Sequence, residues 1–297
     1  MKKESKLSAL LYSVFIVVPV YGILVAAYYM DFINGFVFLA ALLLVMVIAS
    51  ILLIIFRKDK FKSLTIIFLF LFAALLWGSE IRLLGYESNT YLADGFREPE
   101  ELLADSGIHI LSVALYDIHY IEDEKTIKDV YKRDNVQIFD LNKIENRDRY
   151  MSKLTEFKQL LGFGKGDFQV MKENVNNFVH EDIPFIDEFL SRDDLSGDSA
   201  GLALGLTAMV YQEKLENNLP IGVTGTLEPN GDVMEVGGIK GKVMISEQSD
   251  LPYMMIPLAN LVEAEAVKSQ EKLKIEIIPV SHIDEAVLAI KELNAKQ

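Results

Sequence analysis

Three long apolar stretches, residues 7–29, 33–56 and 63–79, contain no charged side chain. A helix needs roughly 17–25 apolar residues to cross a bilayer, and each stretch meets that length. The core helices of a soluble domain carry polar residues on one face, so three uncharged runs within 80 residues predict three transmembrane helices. Pro19 falls inside the first run, where a membrane helix tolerates it with a kink. A cleavable leader does not fit, because the first run is too long and two more follow. No ionisable residue lies inside the spans, so they read as an anchor rather than an ion path.

Orientation follows from lysine and arginine, which collect on the cytoplasmic side. Lys2, Lys3 and Lys6 precede the first span. Arg57, Lys58, Lys60 and Lys62 separate the second from the third, whereas only Asp31 separates the first from the second. The N-terminus is therefore expected in the cytoplasm. Everything after Trp77 is expected outside, in a multi-pass protein of the cell membrane.

Charge splits at the same place. Residues 1–82 hold eight basic and four acidic side chains, and the remainder holds 21 basic against 39 acidic. So acidic a surface repels phosphate backbones, which argues against nucleic acid as a partner. The chain has no cysteine, which excludes disulfides, thiolate metal sites and a cysteine nucleophile. His109, His119, His180 and His282 form no metal-ligand spacing, so no metal is expected. The glycine cluster Gly162–Gly166 lacks the phosphate-loop pattern and reads as a helix stop. No cofactor or nucleotide is expected.

Residues 83–180 predict one strand over 108–121 and helices over 124–132 and 146–161. Beyond them, Gly197-Asp198-Ser199-Ala200 leads into a run in which Leu202, Ala203, Leu206, Met209 and Val210 recur at helical spacing. This predicts a buried helix from Ser199 to about Asn217 or Asn218. A serine at a helix N-terminus suits an acyl-transfer nucleophile, because the unpaired N–H groups there accept an oxyanion. Serine is equally a favoured helix cap, and on this motif alone both readings stand. Gly197-x-Ser199-x-Gly201 also matches the nucleophile elbow of α/β-hydrolases, but the preceding SRDDLS is too polar for the buried strand an elbow requires.

Residues 221–226 read as a strand, Glu228-Pro229-Asn230-Gly231 as a turn and 232–236 as a second strand, together a hairpin. Gly237-Gly238-Ile239-Lys240-Gly241-Lys242 then opens another helix. A lysine acts as general base only if burial brings its pKa down towards neutrality. Serine–lysine pairs are a known form of the nucleophile–base arrangement. A second pattern, Ser269-x-x-Lys272, lies in a polar stretch and reads as an exposed helix end.

The succession G-D-S-A-G, V-T-G-T-L-x-P-x-G-D-V and V-G-G-I-K-G-K resembles the proteolytic domain of Lon proteases over about residues 183–292. The resemblance implies that Ser199 is the nucleophile and that Lys242, rather than Lys240, is its base. It further implies that Thr224 lies near the pair and orients the lysine; Gly197, Asp198 and Ala200 are expected as supporting residues, with backbone N–H groups near Asp198–Ala200 stabilising the oxyanion. A hexameric ring is the assembly it implies. The overall plan is similar to membrane-anchored Lon-like proteases that lack an ATPase module, although no PDZ segment is visible here.

The expected fold class is α+β: a Lon-type proteolytic domain at 181–297, preceded by three transmembrane helices in 1–82 and a small mixed α/β linker region at 83–180. The expected function is an ATP-independent serine endopeptidase acting on unfolded or loosely structured extracytoplasmic proteins. The alternative is a catalytically silent membrane-bound scaffold that keeps the same fold.

Overall fold

The computed structural model of the chain describes residues 3–296, with side chains from residue 5 onward. Lys2 and the side chain of Lys3, both part of the basic tail, lie outside the described residues. In chain order the helices are α1 (Lys3–Tyr29), α2 (Gly35–Ile55), α3 (Lys60–Glu80), α4 (Leu83–Tyr86), α5 (Glu124–Arg133), α6 (Asn146–Leu160), α7 (Asp167–Val179), α8 (Pro184–Leu190), α9 (Gly201–Tyr211), α10 (Ile239–Gln248), α11 (Leu261–Glu271) and α12 (Ile283–Asn294). The strands are β1 (Asn89–Gly95), β2 (Ile108–Ile110), β3 (Ala114–His119), β4 (Ile138–Lys143), β5 (Ile221–Val223), β6 (Thr226–Leu227), β7 (Val233–Met234), β8 (Tyr253–Pro257) and β9 (Glu276–Val280). Two compact units emerge. One comprises Met1–Tyr91, Ile118–Glu122 and Lys143–Leu161, and the other Leu92–Asp117, Asp123–Asn142 and Gly162–Gln297.

In the first unit the three apolar runs are the long helices α1, α2 and α3, each apolar and long enough to span a bilayer. α1 continues unbroken through Pro19. The turns between them are set by side chains that satisfy the free N–H groups of the next helix. Asn34 accepts from the Val37 N–H, and Asp59 accepts from those of Phe61 and Lys62. Large apolar side chains such as Phe15, Ile54 and Leu75 point outward, as they would toward lipid.

At one end of this bundle α6 packs on α1 and α4. Asn146, its first residue, donates from Nδ2 to the carbonyls of Tyr28 and Ile33. Lys153 pairs with Glu80, the last residue of α3, at 2.6 Å, with side chains only 5% and 2% exposed. The Tyr21 hydroxyl donates to the same carboxylate at 2.7 Å, and the Lys153 ammonium lies 4.4 Å from the Tyr150 ring centroid. Removing one partner of a buried pair leaves an uncompensated charge, a loss of about 3–5 kcal/mol, while replacing both by apolar residues is often nearly neutral. Lys153→Met is therefore expected to lower stability by about that amount, and Glu80→Leu/Lys153→Met to recover most of it, as read by chemical denaturation in detergent.

The second unit is built on a four-stranded parallel sheet in the order β2–β5–β8–β9. Met254 and Ile256 of β8 enter one apolar cluster with Ile239 and Val243 of α10 and Ala264 of α11. Met255, between them, enters the other cluster with residues of α7, α8, α9 and α12. A parallel sheet covered on both faces needs uninterrupted apolar strands, which is why Tyr-Met-Met-Ile-Pro shows no alternation. The chain also forms a three-stranded sheet, β3–β1–β4, and the two-stranded β6–β7.

Several sequence expectations shift. The single strand over 108–121 is two strands in different sheets, β2 and β3. Ile108, Ile110 and Leu111 are all buried, so the alternation slips phase at Leu111 and the chain leaves the sheet. The strand over 221–226 likewise divides at Gly225. β5 joins the parallel sheet, and only β6 forms the hairpin with β7. α9 starts at Gly201 and stops at Tyr211 rather than near Asn217, because Glu213 takes a left-handed conformation with φ 57°. Leu215 then folds back into the core and so mimics one more helical turn. Helices 124–132 and 146–161 match α5 and α6, and the glycine cluster ends α6.

Candidate active site

Ser199 lies in the turn that carries the loop after α8 into α9. Gly197, two residues before it, has φ +80°, a backbone conformation open to glycine at little strain. Gly201 opens α9 where β6 passes close by. A Cβ there would sit 2.8 Å from the Leu227 amide nitrogen, so only glycine fits without moving backbone. No strand precedes the serine, which excludes a hydrolase elbow.

The Ser199 carbonyl is held twice, by the Gly225 N–H at 2.8 Å and by the Thr224 hydroxyl at 3.2 Å. The Leu202 N–H returns to the Gly225 carbonyl at 2.9 Å, closing a tight link between α9 and the β5–β6 connection. Thr224 is fully buried, and its hydroxyl serves the serine backbone rather than Lys242. In contrast, the Ser199 hydroxyl makes no hydrogen bond to any described residue. A capping serine would accept from an N–H two or three residues on, but the capping position belongs to Ala200. The N–H groups of Asp198, Ser199 and Ala200 also donate to no described acceptor. They stand at the positive end of α9, where an anion is stabilised.

Lys242 is the fourth residue of α10, whose start is fixed by Gly238 in a left-handed conformation, φ +68°. Its side chain is 3% exposed and makes no hydrogen bond among the described residues, to Ser199 or otherwise. Burial lowers its pKa from 10.5 to about 8, opposed in turn by the negative charges of Asp198, Asp94 and Glu263. The strongest of the three is Asp198, next to Ser199 in sequence, so the serine turn and the lysine meet in one electrostatic neighbourhood. Catalytic hydrogen bonds commonly tighten only when substrate binds. Lys240 turns away from this site and pairs with Asp140 at 3.2 Å. Ser269 and Lys272 are exposed at the end of α11.

A cleft beside Ser199 is lined by Ile110, Met171, Phe189 and Leu195, together with Arg97 and Glu100. His282, the only histidine downstream, instead caps α12 and contacts the Asn230 carbonyl at 3.0 Å. Asp94 escaped the sequence reading. Its signal was an acidic residue within the otherwise apolar strand pattern Tyr-Leu-Ala-Asp-Gly.

Residues 189–292 match the family model of the Lon protease (S16) C-terminal proteolytic domain. The chain is 30% identical over 122 residues to the Lon protease of Rickettsia bellii and 30% identical over 129 residues to that of Aster yellows witches'-broom phytoplasma. It is 31% identical over 129 residues to the archaeal Lon protease of Pyrococcus abyssi. These alignments cover 41%, 42% and 41% of this chain but only 15%, 16% and 13% of the respective relatives. The matched segment holds Ser199, Thr224 and Lys242.

Proposed function

We propose that this chain is a membrane-anchored serine endopeptidase that cleaves unfolded or loosely structured proteins outside the cytoplasm without ATP. The observation that carries the reading is a buried, unpaired lysine with a pKa of about 8 in the neighbourhood of an unbonded serine hydroxyl at a helix N-terminus. Neutral Lys242 takes the proton from Ser199 Oγ as that oxygen bonds to the scissile carbonyl carbon. The resulting oxyanion rests on the free N–H groups of Asp198–Ala200. Lys242 then gives its proton to the departing amine as the C–N bond breaks, leaving an ester on Ser199. Water, deprotonated by the same lysine, releases the acid and restores the serine. The apolar cleft beside Ser199 takes a substrate side chain, favouring cleavage next to apolar residues that only an unfolded chain exposes.

The three long helices support anchoring, and the basic loop between α2 and α3 supports an extracytoplasmic protease. The absence of native cysteine makes the topology directly measurable. Single-cysteine variants Phe32→Cys, Lys58→Cys and Glu216→Cys are treated in intact cells with an impermeant maleimide. Positions 32 and 216 are expected to label and position 58 only after permeabilisation. The reverse pattern would place the peptidase in the cytoplasm and remove the reason for ATP independence.

A further inference from the structure

Asp94, on β1, lies outside the segment matched by the proteolytic-domain family, yet it is packed against the first turn of α10. The glycines of that turn make the room. A Cβ on Gly238 would lie 3.4 Å from Asp94 Oδ2, and one on Gly241 3.7 Å from Asp94 Cβ and 2.7 Å from Val113. Asp94 is 6% exposed, and its carboxylate receives no hydrogen bond from any described residue. A buried carboxylate without donors is costly unless nearby positive charge offsets it. Here the α10 N-terminus and the ammonium form of Lys242 supply that charge.

We propose that Asp94 is a positioning residue for Lys242, restraining its side chain and counter-charging its ammonium form in the resting site and in the tetrahedral intermediate. This rests on Lys242 being the general base. The charged groups around the lysine are Asp198 from the serine turn, Asp94 from β1 and Glu263 from α11. Asp140 from β4 acts on Asp94 and is itself paired with Lys240. Of the three carboxylates acting on Lys242, Asp94 alone is buried. Burial and Asp140 push the Asp94 carboxyl pKa up, and Lys242 pulls it down.

Two opposite effects follow. In the resting site the carboxylate favours protonated Lys242, which delays onset of activity as pH rises. During attack on the carbonyl it stabilises the ammonium that Lys242 becomes, which speeds the chemical step. Asp94→Asn is therefore expected to move the acidic limb of kcat/KM to lower pH by about 0.5 unit, about a threefold larger neutral fraction on that limb. At the same time the plateau rate falls severalfold. Asp94→Glu is expected to return the limb toward its parental position. A purely structural role would lower the plateau and leave the limb in place.

The test uses the full chain in detergent. The pH profile of peptide hydrolysis is paired with the pH dependence of Lys242 acylation by acetic anhydride, read by mass spectrometry, which requires no turnover. A lower titration midpoint of Lys242 in Asp94→Asn supports the inference, and an unmoved midpoint overturns it. Should Asp94→Asn fail to fold, Asp94→Ser is read in its place, a lower Lys242 midpoint supporting the role and an unmoved one overturning it. A parent chain that hydrolyses nothing while Lys242 still titrates with Asp94 would sink the proposed function and with it the role in the intermediate, leaving only the resting-site coupling of Asp94 to Lys242.

Discussion

Ser199→Ala is expected to lower nucleotide-free hydrolysis of an unfolded protein by at least about a thousandfold, the scale on which serine peptidases lose activity with their nucleophile. The fold should not notice the change. The Ser199 hydroxyl bonds to no described residue, and the contacts that hold the turn use its carbonyl. Thermal stability is therefore expected to stay within about 0.5 kcal/mol of the parent. A helix-capping serine would behave differently, since losing a cap costs about 1 kcal/mol. Together the two readouts separate a nucleophile from a structural serine. A stable, inactive variant supports the dyad, and a destabilised, active one contradicts it.

Lys242→Met carries the second large effect. The lysine pKa lies at about 8 in the folded chain against 10.5 ordinarily. Between those values the unfolded chain holds a proton that the folded chain does not, so the parent gains stability as pH rises from about 8 to 10.5. Below pH 8 both states are protonated and the burial penalty is present in full. Above 10.5 both are neutral and it is gone. Methionine has no such term. The stability of Lys242→Met relative to the parent is expected to grow by roughly 3 kcal/mol as pH falls through this window, at about 1.4 kcal/mol per pKa unit. Denaturant midpoints at pH 8 and pH 10.5 check it, and the variant is expected to be inactive at both.

The parts legible in the sequence were those with a long or chemically unusual pattern. Three uncharged runs announced α1, α2 and α3, and the glycines flanking Ser199 and preceding Lys242 announced the two turns that hold the site. Short parallel strands were harder. β5 is three residues buried throughout and carries no alternation, while the alternation of β2 resumes in β3 after a slip at Leu111, so neither pattern marks where its strand ends. The read-through from β2 into β3 and from β5 into β6 came from that. Thr224 was found by resemblance, but its bond to the serine carbonyl depends on the bend at Gly225, which periodicity does not encode. The acidic residue within the apolar pattern of β1 marked Asp94 as unusual but gave it no partner. Nearly 150 residues separate it from Lys242, and only the packing of β1 against α10 gives it a partner.

The claim at the centre is that Ser199 is activated by a neutral, buried Lys242. The pH dependence of kcat/KM for peptide hydrolysis by the full chain, without nucleotide, tests it most directly because it reports the pKa of the free enzyme's essential base. The account predicts activity rising with pH, half-maximal near 8, and none in Lys242→Met. An acidic limb at the ordinary histidine or carboxylate range, or retained activity in Lys242→Met, would contradict it.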